Sequence, residues 1–270
     1  MRLLIACASD PGHTSLPAQE AYPATEAPTV VLEGLATPVG LAWDGDHLWI
    51  AEQGAGCVTP WPADEVRICD LDAPTWLAFE DGVLAFTGGG AAHVPGGTVE
   101  ATSPGRVRLV DGVAYWVDEA GGVYADTTLL GEFDTPRGIA VVDGEVRVAD
   151  ASGLATLDGR LLETGWPGRD LSEDGDVLLT RDDAWPGGGW LYDDDGTALS
   201  SSPPWAERVA ADASDVYWSA RQGITRVPRE GGTYTVAVAD TAVGDLLIVD
   251  GSLWWTDPQR GVLATLARLD

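Results

Sequence analysis

The sequence predicts an all-β fold on three observations. Glycine and proline are abundant, at 34 and 17 of 270 residues, and both interrupt helices while supplying turns. Asp-Gly dipeptides recur at 44–45, 81–82, 111–112, 143–144, 174–175 and 250–251, with Ser214-Asp215 filling the one gap. Each lies between two apolar runs of strand length, a strong hairpin signal. Seven such hairpins at intervals of about 30–40 residues fall in the period range of propellers and solenoids. Each is followed by a Gly-containing loop and two more strand-like runs, as in GGVYAD (121–126) with TTLLGEF (127–133). Four short strands repeated seven times predict a single β-propeller over 29–270, in which blades pack face to face around an axis and leave few free edges.

Along the chain, the runs before the turns are GLAW (40–43), WLAF (76–79), VRLV (107–110), GIAVV (138–142), RDLS (169–172), RVAA (208–211) and DLLIV (245–249). The runs after them are HLWIAE (47–52), VLAFT (83–87), VAYWVD (113–118), EVRVAD (145–150), VLLT (177–180), VYWS (216–219) and LWWTD (253–257). The seventh repeat ends one strand short, and TVVLEGL (29–35) is placed to supply the missing strand and staple the ring. Within LWWTD, alternation sends Trp254 and Trp255 to opposite faces of the sheet, so that both serve blade packing. Two segments break the rhythm and read as inserted loops, GGGAAHVPGG (88–97) and RDDAWPGGGWLYDDDG (181–196). Irregular loops on a repeat scaffold tend to carry specificity, which nominates Trp185 and Trp190 as a partner-contacting surface.

The stretches DVYWSARQGITRVPREGG (215–232) and SLWWTDPQRGVLATL (252–266) resemble YWTD-type repeats, and TPVGLAWDGDHLWIAE (37–52) and TPRGIAVVDGEVRVAD (135–150) resemble the related NHL type. The resemblance spans nearly all of 29–270 with degenerate copies, and it implies a fold rather than a reaction. It also implies that the aspartate ending each second strand serves hydrogen bonding between blades. Asp118, Asp150 and Asp257 match that position, and Glu52 substitutes for it.

Acidic side chains number 43 against 15 basic ones, for a formal charge of −28, and the chain has no Lys and no Asn. A GC-rich genome or a saline habitat would each account for this. Without lysine, Schiff-base and P-loop chemistry are excluded. The negative field disfavours nucleic acid and anionic lipid surfaces. At the N-terminus, Leu4-Ile5-Ala6-Cys7 resembles a bacterial lipobox, although fewer apolar residues precede it than the roughly 7–15 of a secretory h-region. It implies lipidation at Cys7, with 1–28 as anchor segment and Pro/Ala/Ser/Thr-rich tether. The expected location is therefore exported, either lipid-anchored in the cell envelope or periplasmic to extracellular. If PADE (62–65) turns a hairpin, Cys57 and Cys69 become direct cross-strand neighbours within disulfide reach, as an oxidising compartment allows.

Ligands of a propeller gather around the channel mouth. The candidate rim is Glu52, Asp118, Arg137, Asp150, Asp182, Arg221, Asp257 and Arg260, with Trp76, Trp166 and Trp205 beside it. The competing expectation is that these aspartates are satisfied by backbone amides and the arginines pair with them. Calcium-loop-like DGD (44–46), DLD (70–72), EDGD (173–176) and DDD (193–195) lack the twelve-residue spacing with terminal Glu. His13, His47 and His93 are scattered, with no zinc spacing and no GxSxG nucleophile. No catalytic residue, metal ligand or cofactor is therefore assigned, and calcium is kept open. The expected function is recognition by a monomer, of a protein, glycan or small molecule, at an acidic channel face and its loops. The alternative is a hydrolase or lyase using rim carboxylates with or without calcium, and a third reading is a structural part of an envelope assembly.

Overall fold

The computed structural model describes residues 27–181, 189–202, 205–220, 223–232 and 234–267. Of the expected functional positions, Cys7, Asp182, Trp185 and Arg221 lie outside the described residues. The rest form seven antiparallel sheets in a ring, with no helix among the described residues. The first strands of blades 1 to 7 are Pro38–Trp43, Pro74–Glu80, Pro104–Val110, Gly138–Val142, Gly168–Leu171, Val209–Ala211 and Leu246–Val249. Each touches the first strand of its neighbours all the way round, so these strands surround the axis. The second strands are Leu48–Glu52, Val83–Gly88, Val113–Asp118, Glu145–Asp150, Val177–Thr180, Asp215–Ala220 and Ser252–Asp257.

The hairpin turns follow two local designs. Asp81-Gly82, Asp111-Gly112, Asp143-Gly144 and Asp250-Gly251 all have both residues at positive φ, the two-residue geometry whose twist matches antiparallel strands. In the other three blades an aspartate caps the turn. Asp44 accepts from the amides of Asp46 and His47, Asp174 from that of Asp176, and Asp212 from those of Ser214 and Asp215. We call the side carrying these turns the lower face; the opposite, upper face carries the ends of the second strands and the loops between blades.

The ring closes as its repeats imply. Thr29–Glu33 pairs with Val262–Leu266, completing blade 7 with the N-terminal strand, and the Leu35 amide donates to the Gly261 carbonyl at 2.9 Å. Blade 1 is the exception to four full strands. Its fourth strand shrinks to the bridge between Val58 and Ile68, in a hairpin where Pro60 and Pro62 offer no amide for a ladder. The disulfide Cys57–Cys69 holds this edge, with Cα atoms 4.1 Å apart.

Segment 88–97 differs from the expected inserted loop. Ala91–Val94 is the third strand of blade 2 and Gly97–Glu100 its fourth, joined by glycine turns tight enough to mask the repeat. Likewise Gly189–Asp193 is the third strand of blade 5.

Seven apolar clusters fill the seven gaps between neighbouring blades. The centre of the second strand supplies the largest pieces: Trp116, Trp218 and Trp255 are fully buried at equivalent registers. Trp254 and Trp255 do point apart. Trp255 packs between blades 6 and 7, and Trp254 packs between blades 7 and 1, 4.9 Å from Trp61. Replacing Trp255 by Ala should cost about 3–5 kcal/mol, and Trp254→Ala less, because it is half-buried; urea melts of the two variants check the order. Reducing the disulfide, or replacing Cys57 and Cys69 by Ser, should lose about 3 kcal/mol by freeing the loop in the unfolded chain, measured in the same way.

Candidate functional site

The axis is closed by the protein's own side chains. One residue before the first apolar cross-strand pair of each blade stands a position that faces the channel. In order it holds Gly40, Trp76, Arg106, Gly138, Asp170, Arg208 and Asp245. Arg106, 4% exposed, reaches across from blade 3. Its Nε and Nη2 donate to both oxygens of Asp170 at 3.2 and 2.5 Å, and its Nη1 donates to Asp245 at 2.9 Å. The two carboxylates are completed by backbone amides, two of them from the next blade round the ring. Val209 N donates to Asp170, and Leu41 N and Leu246 N donate to Asp245. Burial works against the charge of Arg106, but Asp170 and Asp245 outweigh it and raise its pKa. The guanidinium carbons of Arg106 and Arg208 both lie over the Trp76 indole, 4.3 and 4.2 Å from the ring centroid, a cation–π arrangement favoured where water is excluded. Arg208 Nε donates to the Gly244 carbonyl of blade 7 at 3.1 Å. Two arginines balance two aspartates. The two glycines make room: a Cβ on Gly40 would stand 2.3 Å from the Thr75 carbonyl oxygen, and one on Gly138 2.8 Å from the Leu171 amide.

The predicted rim carboxylates are bonded to nearby amides and side chains. Asp118 accepts from the amides of Thr102, Ser103 and Ala120. Asp150 accepts from Ser152 N and is gripped by Arg160 at 2.5 and 2.9 Å. Asp257 accepts from the hydroxyl of Thr241 and the amides of Ala242, Gln259 and Arg260. Glu52 accepts from Ala36 N, the Thr59 hydroxyl and Arg67. All four are buried; Asp150 holds the turn after its strand and the fourth strand of blade 4, and Glu52, Asp118 and Asp257 hold the loop that enters their own blade. In blade 6 the Ser219 hydroxyl does the same for the amides of Glu207 and Arg208. Arg260, exposed, donates to the Asp240 carbonyl. Trp190 differs from the expected loop residue. It sits within the third strand of blade 5 and packs half-buried against the cluster between blades 4 and 5, because Gly189 already begins the strand.

The upper mouth is richer in arginine than the expected acidic face. Arg137 precedes the first strand of blade 4, Arg169 lies in that of blade 5, Arg181 follows the second strand of blade 5, and Arg208 precedes the first strand of blade 6. Burial, together with the charges of Arg137, Arg181 and Arg208, pulls the pKa of Arg169 down to about 9 against the opposing pull of Glu119. It remains charged at neutral pH. Arg181 pairs with Glu207. Trp205, 48% exposed, and the half-buried Trp166 flank these groups in the same inter-blade loops.

Of the channel plug, only Trp76 stood out in the sequence. Arg106, Asp170, Arg208 and Asp245 lie on four different blades, 37 or more positions apart along the chain; aligning the seven repeats on their turns would have put them in one column. Among the described residues, no three His, Cys, Asp or Glu side chains come together as ligands for a metal. Of the calcium-like turns, Asp44 and Asp174 cap hairpins, and Asp193 accepts from Thr197 N.

No family model matches the chain, and no curated protein matches it. Solved structures do. A histidine-to-alanine variant of virginiamycin B lyase from Staphylococcus aureus, described as catalytically inactive and bound to quinupristin, aligns with TM-score 0.65 at 11% identity, over 90% of this chain and 99% of that one. BamB from Moraxella catarrhalis aligns with TM-score 0.57 at 14% identity, over 85% and 83%. The Swd1 β-propeller domain from Myceliophteria thermophila aligns with TM-score 0.66 at 11% identity, over 88% and 97%. The class these comparisons and the sheets define is a seven-bladed β-propeller. Its neighbours include a lyase among other propellers, and at such identities the likeness shows the fold alone.

Removing one aspartate from the plug leaves a buried guanidinium short of charge, so Asp245→Ala should cost about 3–5 kcal/mol. Asp118→Ala, which unpairs loop amides, should cost about 1–3 kcal/mol. Chemical denaturation of both variants tests whether the plug outranks the loop ties.

Proposed function

We propose that this protein is a non-catalytic recognition propeller of an oxidising compartment, and that it holds an acidic group of a protein partner at its upper mouth. The supporting observation is the gathering of Arg137, Arg169, Arg181 and Arg208 beside the exposed Trp205, in a chain whose formal charge is −28. Arginine and tryptophan are the residue types that dominate binding energy at protein interfaces. Crowded guanidinium groups lower one another's pKa and gain most from an incoming carboxylate. The axis itself is filled, which favours contact across the mouth over a substrate held within the channel. The Cys57–Cys69 disulfide favours an exported protein, and a lipidated Cys7 on a tether would place it at the envelope; a glycan or a small acid would use the same arginines.

The lyase among the structural neighbours keeps the enzyme alternative in view. That protein's inactive variant lacks one histidine. Here the described histidines are engaged elsewhere: His47 with Asp44 and Asp64 in blade 1, and His93 stacked on Phe86 in blade 2. Quinupristin incubated with the protein should keep its chromatographic retention, and a new product peak would favour the lyase.

For the recognition reading, envelope extract is passed over immobilised wild type and over the Arg137→Gln/Arg169→Gln double variant. Wild type should retain an acidic protein that elutes as salt rises, and the double variant should retain about tenfold less, one contact's worth of about 1.4 kcal/mol. Circular dichroism should show that the double variant is still folded as an all-β protein. Equal retention by both would end this reading.

A further inference from the structure

The lower mouth of the channel holds a second and different site. A cavity of 120 Å³ opens between blades 1, 2 and 3, walled by Trp43, Leu77, Phe79 and Leu109, with Arg108 and Glu173 supplying its only charges. Arg108 comes from the first strand of blade 3, two residues below the channel plug. Glu173 leans in from the lower turn of blade 5. We infer that this cavity is a binding site for a small zwitterion, an α-amino acid with a short apolar side chain.

Arg108 carries the argument. Its side chain is only 13% exposed, yet its one polar contact is an ion pair from Nη1 to Glu173 at 3.5 Å, too long for a hydrogen bond. Its Nε is buried with no acceptor. A guanidinium presents five N–H donors, and a buried polar group left unbonded costs stability. The other buried arginine of the channel, Arg106, shows what a structural guanidinium looks like here, bonded on three nitrogens. Burial and the nearby charge of Arg106 lower the pKa of Arg108 against the pull of Glu173, Asp170 and Asp245, and a carboxylate arriving in the cavity would add to that pull. Replacing such a group by an apolar side chain would improve the fold on its own terms.

The rest of the cavity selects the ligand. A carboxylate would take the forked donors of Arg108. Glu173, 51% exposed, stands within reach of the same space and offers an anion to a ligand ammonium. With one charge of each sign, the site matches a ligand that is neutral overall. Such a ligand is not repelled by the net charge of −28, as a simple anion would be. Apolar walls suit a short aliphatic side chain. A cavity of 120 Å³ is small, which suits an amino-acid head group with a few carbons better than a nucleotide.

The test uses the full chain and three probes of one shape: L-valine, isovalerate, which lacks the ammonium, and isobutylamine, which lacks the carboxylate. Isothermal titration should show L-valine binding, with each truncated probe about tenfold weaker, equivalent to about 1.4 kcal/mol per lost charge contact. Arg108→Met should abolish valine binding while leaving the melting temperature unchanged or raised. Glu173→Gln, at a half-exposed position, should weaken valine to the level of isovalerate. No heat with valine, equal binding of valine and isovalerate, or a clear loss of melting temperature in Arg108→Met would each overturn the inference. Retention of an acidic partner at the upper mouth is read separately, so either proposal can fail without the other.

Discussion

Seven first strands converge on one axis, and the contact that lets them do so is the Arg106–Asp170–Asp245 bridge. It joins blade 3 to blades 5 and 7 through a guanidinium that water hardly reaches. A lone buried charge would open the ring by its demand for solvent. Here Asp170 also accepts an amide from blade 6 and Asp245 accepts amides from blades 1 and 7, and Arg208 with Trp76 brings in blades 6 and 2. Blade 4 contributes by omission, because Gly138 leaves space for the backbone of blade 5. The plug therefore depends on all seven blades being present and in register.

Around that centre the stabilising work is divided by radius. Apolar clusters between blades hold the middle strands, led by tryptophans at one repeated register. At the upper rim, buried carboxylates or a serine hydroxyl fasten the loop that enters blades 1, 3, 6 and 7. At the outer edge, blade 1 relies on a disulfide where prolines have removed the ladder, and blade 7 relies on the N-terminal strand. The inner plug is electrostatic, the middle hydrophobic and the edge covalent, each suited to the degree of solvent exposure at its radius.

The plug also separates the two mouths chemically. Above it, arginines crowd in loops beside exposed indole, a broad surface suited to another protein. Below it, one underbonded arginine and one glutamate face a small apolar cavity. The two arginines of the plug itself, Arg106 and Arg208, lower the pKa values of Arg108 on one side and of Arg169 on the other.

By itself the sequence determined the all-β class, the seven repeats, the closing of blade 7 by 29–35, the opposed faces of Trp254 and Trp255, and the pairing of Cys57 with Cys69. These are local matters: alternation has a period of two, Asp-Gly turns have one geometry, and a hairpin of known register fixes which residues are opposite. The aspartates ending second strands were legible as ties or as ligands, and the structure shows the amides and side chains that they tie. Glycine-rich turns hid the third strand of blade 2, and a strand beginning at Gly189 took Trp190 from a loop into the packing. Only the tertiary structure brought Arg106, Asp170, Arg208 and Asp245 to one axis and Arg108 to Glu173. Such contacts join residues from different blades, and their distance is set by how the whole ring closes rather than by any spacing along the chain.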